Sequence, residues 1–210
     1  MNSYEVMNIS PIVPVIAIDN AEDALSLAEA LLEGGVGLME ITLRTEAGLR
    51  AIEIIAKEYP QMSVGAGTVI NRAGFQSAVD HGAQFVFSPG INQEIMDASS
   101  ELNTTLIPGV ATASEVMFAL NNGFEYCKLF PATAVGGVEL LNGFYGPFPS
   151  MRFCPTGGIN LDNINDFLKL PNVLCAGGSW IVPKTSLQKK DFNHITELCK
   201  TAIHHIHNNR

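Results

Sequence analysis

Eight short segments rich in β-branched or aromatic residues recur along the chain, and their rhythm narrows the choice of fold more than any other property. They begin at Pro14 (PVIAI), Gly37 (GLMEIT), Met62 (MSVGAG), Ala83 (AQFVFS), Thr104 (TTLIPG), Phe124 (FEYCKLF), Met151 (MRFCPT) and Asn172 (NVLCAG), 20 to 27 residues apart. Helical patterns fill the intervals. Ala24, Leu27, Ala28 and Leu31 follow i, i+3, i+4, i+7 spacing and stop at Gly34-Gly35. Thr112 and Glu115 form a capping box, Asn160 can cap a helix carrying Ile164, Phe167 and Leu168, and Ile195, Leu198, Ala202 and Ile206 stripe a last helix. Strands without polar alternation, each followed by a crossover helix, imply a parallel sheet covered on both faces. Eight such units in 210 residues predict an α/β protein, a compact (β/α)₈ TIM barrel, with a doubly wound open sheet as the alternative. Residues 1–210 are expected to form a single domain, with a short N-terminal segment and a C-terminal helix.

With 47% hydrophobic and 16% charged residues the chain is not disordered. Twelve basic against 21 acidic side chains give a formal charge of -9, which argues against nucleic acid or an anionic membrane as partner. A small anionic ligand stays open, because a pocket's local field can oppose the net charge. No apolar run reaches the roughly 18 residues of a membrane span. The N-terminal stretch lacks a basic leader, and Pro11, Pro14 and Asp19 break its apolar run. Cys127, Cys154, Cys175 and Cys199 are far apart without metal-type spacing. These features lead us to expect a cytoplasmic protein with reduced core thiols.

In a barrel the C-terminal ends of the strands and the following loops form the catalytic face. A period of two puts Glu40, Thr42 and Arg44 on one face of their segment and Met39, Ile41 and Leu43 on the other. Charges turned into a barrel are costly unless paired or functional, so Glu40 and Arg44 are either a structural pair or site residues. Lys128 is a sharper signal, since it interrupts the apolar run Tyr126-Cys127-Lys128-Leu129-Phe130. Desolvation lowers the pKa of such an amine and favours attack on a ketone to form a Schiff base; snorkelling or pairing with a carboxylate is the plainer alternative. With Glu40 on the same face to shuttle protons, catalysis is the better reading.

Thr156-Gly157-Gly158 and Gly177-Gly178-Ser179 follow the last two strands, where barrels commonly bind phosphate through bare backbone N–H groups. Both segments together imply a phosphorylated substrate, although glycines also serve simply as turn formers. Gly65-Ala66-Gly67-Thr68 lacks the third glycine of a dinucleotide fingerprint and suits a ligand approaching Thr68. His204, His205 and His207 stand beside Asn208, Asn209 and Arg210 in what reads as a solvated tail. His81 suits a helix C-terminus, His194 lies on the polar side of the last helix, and Trp180 is expected to pack under the glycine loop.

GGV-LMEITLRT, VGAGTV, FVFSPG, LIPGV, KLFPA, GPFP, RFCPTGGI and VLCAGGSW together resemble the bacterial 2-keto-3-deoxy-6-phosphogluconate (KDPG) aldolases, which also act as 4-hydroxy-2-oxoglutarate aldolases. The resemblance runs from about Pro11 to Pro183. It implies a class I lyase of the Entner–Doudoroff route on a (β/α)₈ barrel, a homotrimer needing neither cofactor nor metal and acting on a phosphorylated 2-keto acid. Carried over, Lys128 resembles the Schiff-base lysine and Glu40 the general acid/base. Arg44 and Thr68 resemble the pair that grips the substrate carboxylate, Pro89 and Phe130 pocket walls, and Thr156 a residue that touches the substrate chain. Gly157, Gly158, Gly178 and Ser179 resemble the phosphate site. Two positions depart from the family pattern. Leu129 replaces a phenylalanine but has the parity of the outer face, and Thr133 stands where relatives are often acidic.

Overall fold

A computed structural model describes residues 1–208, so Asn209 and Arg210 of the expected tail lie outside the described residues. The chain begins with a short helix, α1 (Ser3–Asn8), and strand β1 (Ile12–Ile16). There follow α2 (Ala24–Glu33), β2 (Leu38–Thr42), α3 (Ala47–Glu58), β3 (Ser63–Gly67), α4 (Arg72–Asp80), β4 (Phe85–Phe87) and α5 (Gln93–Glu101). Next come β5 (Thr105–Ile107), β6 (Gly109–Val110), α6 (Ala113–Asn121), β7 (Tyr126–Leu129), α7 (Gly137–Tyr145) and β8 (Arg152–Pro155). The chain ends with α8 (Ile164–Leu168), β9 (Ala176–Gly178), α9 (Lys184–Lys189) and α10 (Phe192–His207).

The regular spacing of the strands has a local cause. Four helices end in the same way: after α2, α4, α5 and α6 the chain turns left-handed at Gly35, Gly82, Asn103 and Gly123. In each the next two amides close back on the helix, as Gly35 N–H does on Leu32 O and Val36 N–H on Leu31 O. This pair of bonds satisfies carbonyls that a helix end leaves free, and glycine or asparagine tolerates the positive φ. At their starts, Asn71, Asn92 and Thr112 cap α4, α5 and α6 by accepting the amide three residues on, and Thr112 with Glu115 forms the expected capping box. Asn160 does not cap α8 directly; its side chain accepts from Asp162 and Asn163 in the turn that precedes the helix.

All paired strands run parallel, in a six-stranded sheet of order β5-β4-β3-β2-β1-β9, which forms a half-barrel, and a three-stranded sheet β6-β7-β8. Two single bridges, Phe153 with Val173 and Thr156 with Gly177, run between the β8 and β9 segments. The expected segment at Thr104 is divided into β5 and β6 by Pro108, which has no N–H to give to a ladder. Its carbonyl accepts the amide of Lys128 at 2.8 Å. All five residues of β2 are buried, as expected of a strand covered on both faces. The apolar core extends from Val6 in α1 through the strands to Ile206 in α10.

Candidate active site

Lys128 lies on β7 in register with Gly109 on one side and Cys154 on the other. It is 4% exposed. Its Nζ donates to Glu40 Oε1 at 3.0 Å and Oε2 at 3.3 Å. Glu40, on β2, is 1% exposed. The ammonium also faces two aromatic rings, 5.3 Å from the centre of Phe87 and 5.6 Å from that of Phe130, an arrangement that partly replaces lost hydration. Gly67, from β3, makes the pair possible, because a Cβ there would overlap the Glu40 carboxylate. Thus Gly65 and Gly67 make room for protein groups, the ring of Phe85 and the carboxylate of Glu40.

A buried ion pair is a poor source of stability, since desolvating two charges consumes most of their attraction. An interior that could have held two apolar side chains instead holds an amine and a carboxylate. Of the two alternatives for Glu40 and Arg44, the structural pair does not form: Glu40 turns to Lys128. Arg44 lies two residues past the end of β2, and its Nε donates to Thr42 Oγ1 at 3.2 Å.

The glycine segments converge as expected. A cavity of about 170 Å³ is lined by Arg44, Phe130, Thr156, Gly157, Gly158, Gly178 and Ser179, together with Val15, Ile159 and Gly177. Phe130 belongs to both the cavity and the lysine's surroundings. Gly157 and Gly158 have φ of 101° and 78°, a conformation that side-chain-bearing residues resist. Thr133 pins this loop: its amide donates to Gly157 O at 3.1 Å and its hydroxyl to the same atom at 3.2 Å. Trp180 packs against Gly178 as expected, where a Cβ would overlap the ring. Thr68 and Pro89 do not line the cavity. Thr68 is half-buried at a φ of 62° just after β3, and Pro89 backs onto Gly109. A larger hollow of about 580 Å³ beside Met1, Glu5 and Asn103 contains no buried ionisable group.

Sequence reasoning missed Phe87, which reads as an ordinary core residue of an apolar strand, and the requirement for Gly67. Alternation within Phe85-Val86-Phe87 was the available signal, since it gives Phe87 the inward parity. Elsewhere the plain readings stand. The four cysteines are buried and unbridged. Burial pushes the Cys127 thiol far up and that of Cys199 to about 12. The His81 ring lies 2.7 Å from Ser77 O at the end of α4, and His204 hydrogen-bonds Asn208 near the end of α10.

Residues 4–198 match the family model "KDPG and KHG aldolase". The chain belongs to this aldolase family. It is 46% identical over 202 residues to the 2-dehydro-3-deoxy-phosphogluconate aldolase of Dickeya dadantii (strain 3937), covering 96% of this chain and 95% of that one. Among solved structures it is similar to the KDPG aldolase of Legionella pneumophila, in which pyruvate is captured at low pH as a covalent carbinolamine intermediate. The TM-score is 0.95 with 45% identity over 97% of this chain and 98% of that chain. The KDPG aldolase of Zymomonas mobilis ZM4, solved with 3-phosphoglycerate, gives a TM-score of 0.90 with 41% identity over 96% of this chain and 94% of that one. These KDPG aldolases match the chain over nearly its whole length, and the range matched by the family model spans every element that carries the lysine, the carboxylate and the glycine loops.

Proposed function

We propose that the protein is a class I Schiff-base aldolase. It cleaves 2-dehydro-3-deoxy-6-phosphogluconate to pyruvate and D-glyceraldehyde 3-phosphate in the Entner–Doudoroff route, and 4-hydroxy-2-oxoglutarate to pyruvate and glyoxylate. The observation that carries this reading is the Lys128 amine held 3.0 Å from Glu40 Oε1 in a nearly dry interior. Attack requires an amine without its extra proton, and Glu40 is the acceptor within reach. Nζ then bonds to the C2 ketone. Glu40 returns that proton to the carbinolamine hydroxyl, which leaves as water, and the product is a protonated imine, an electron sink that replaces a metal ion. Glu40, directly or through a water, takes the C4 hydroxyl proton. The C3–C4 bond breaks, its electrons pass to the imine as an enamine, and the aldehyde leaves. Protonation at C3 and hydrolysis release pyruvate and restore Lys128.

Arg44, with Thr68, holds the substrate carboxylate through charge-assisted bonds that fix the reacting carbons. Phe130 walls the pocket and Thr156 touches the substrate chain, while Pro89, off the cavity wall, backs Gly109 beside Lys128. The amides of Gly157, Gly158 and Gly178 and the Ser179 hydroxyl receive the phosphate. The carbinolamine of the Legionella protein and the phosphoglycerate of the Zymomonas protein support both halves of this assignment.

The scaffold is proposed to be a closed single-domain (β/α)₈ barrel over residues 1–210. Support comes from the pairing of β9 with β1, the bridges between the β8 and β9 segments, and the passage of β5 into β6 through Pro108. A homotrimer is expected from the family resemblance and is checked by sedimentation velocity. Four unbridged cysteines and a phosphorylated substrate that does not cross a bilayer favour the cytoplasm.

Borohydride reduction in the presence of pyruvate should add a stable mass to Lys128, and activity should survive a chelator. An unlabelled lysine overturns the assignment. The second reading is a non-catalytic sugar-phosphate-binding barrel in which Lys128 serves only as the ion-pair partner of Glu40. Tight ligand binding without pyruvate release, unchanged in Lys128→Ala, would favour that second reading.

A further inference from the structure

Thr42 is 1% exposed and shares the inward face of β2 with Glu40, yet the proposed chemistry gives it no task. Its surroundings fix how its hydroxyl is used. Oγ1 lies 2.8 Å from the carbonyl of Ile16, the last residue of β1, and a hydroxyl has one proton to give. That proton goes to Ile16. A lone pair therefore faces Arg44, whose Nε–H donates to it at 3.2 Å. Thr42 is in register with Gly67, so no side chain from β3 competes for the space.

From this we infer that Thr42 is a positioning residue for Arg44, an inference that rests on the aldolase reading above. With Nε engaged, the edge left for a ligand carboxylate is the Nη1–Nη2 pair, and the grip is end-on. An arginine side chain otherwise has a large choice of rotamers, and most would take the guanidinium away from the mouth. Thr42 removes that freedom. Because Glu40 lies two residues earlier on the same strand, the carboxylate clamp and the proton carrier share one rigid support. The effect is on substrate placement: Thr42 itself touches none of the reacting atoms.

The test measures borohydride trapping of Lys128 as a function of pyruvate concentration in the full chain. Thr42→Val removes the acceptor at nearly constant volume and is expected to raise the half-saturating pyruvate about 10-fold, as for a lost bond to a charged group. The fraction trapped at saturation should be unchanged. Thr42→Ser should stay within about 3-fold of the original protein, because the hydroxyl remains. In an Arg44→Leu background, Thr42→Val should add nothing further, since the two act through one contact. If circular dichroism shows Thr42→Val to be non-native, Thr42→Cys takes its place, its thiol being a poor acceptor.

Unchanged half-saturation in Thr42→Val or its Cys replacement overturns the inference, as does a Thr42→Ser as impaired as Thr42→Val or a full additional effect in the Arg44→Leu background. Failure of pyruvate to trap Lys128 in the unaltered protein is a different result. It defeats the aldolase reading itself.

Discussion

The Lys128–Glu40 centre and the glycine cradle lie close enough to share Phe130, yet they are built by opposite means. The first is made of side chains. A strand supplies an amine, a second strand a carboxylate, and Phe87 and Phe130 surround the amine. The second is made by leaving side chains out: Gly157 and Gly158 adopt φ values of 101° and 78°, and Thr133 takes the space beside Gly158 as Trp180 does beside Gly178. Reactive chemistry needs a group whose environment changes its behaviour, and only side chains provide one. Recognition of a phosphate needs several donors at close quarters, which bare backbone supplies with little bulk.

This contrast orders the expected effects of substitution. Lys128→Met removes the nucleophile and should lower kcat/KM by about 10³-fold or more, with no borohydride adduct. A residual rate near that of the unaltered protein would deny the lysine its role. Gly67→Ala leaves every proposed catalytic group in place but intrudes on Glu40. A displaced carboxylate should cost about 10²-fold in kcat, with normal phosphate preference if the two regions are independent.

In the cradle, Gly158→Ala meets both a left-handed backbone and the Thr133 hydroxyl. It should raise KM for the phosphorylated substrate about 10-fold and lower stability by about 1–3 kcal/mol. The unphosphorylated 4-hydroxy-2-oxoglutarate should be affected much less, and equal losses on both substrates would contradict a phosphate role. Ser179→Ala removes one hydroxyl and should reduce the preference for phosphate about 5-fold, as for a single hydrogen bond.

The smallest effect belongs to a surface ion triad that serves as a control for the buried pair. Lys57 and Arg50 hold the Glu53 carboxyl at about 2, below its ordinary 4.5, chiefly through hydrogen bonds. The stabilisation is therefore present above about 4.5 and is lost as pH falls towards about 2. Glu53→Gln should leave kcat/KM unchanged and lower the melting temperature slightly at neutral pH. The difference should shrink in acid and in high salt, and a large, salt-independent loss would show that the triad does more than sit in solvent.

Much of this was legible from the residues in order. Apolar segments at even intervals announced a parallel α/β fold, and the glycine after α2 marked a real turn. Lys128 was conspicuous because an isolated cation in an apolar strand is costly wherever it folds. Parity correctly put Glu40 and Thr42 on one face of β2. It did not show that Glu40 turns to β7 instead of Arg44, because residues 88 positions apart meet only through the arrangement of strands. Nor could spacing along one chain segment show that Gly67 vacates the volume Glu40 uses, or that Thr68 and Pro89 stay off the cavity wall.

The order of residues by itself determined the elements, their parity and the chemical types available, because capping, turn formation and apolar periodicity act over a few positions. Tertiary structure decided the pairings: which carboxylate meets the amine, which ring faces it, and which hydroxyl holds the arginine. These depend on strand register and on empty volume between distant segments. Local chemistry sets neither of them.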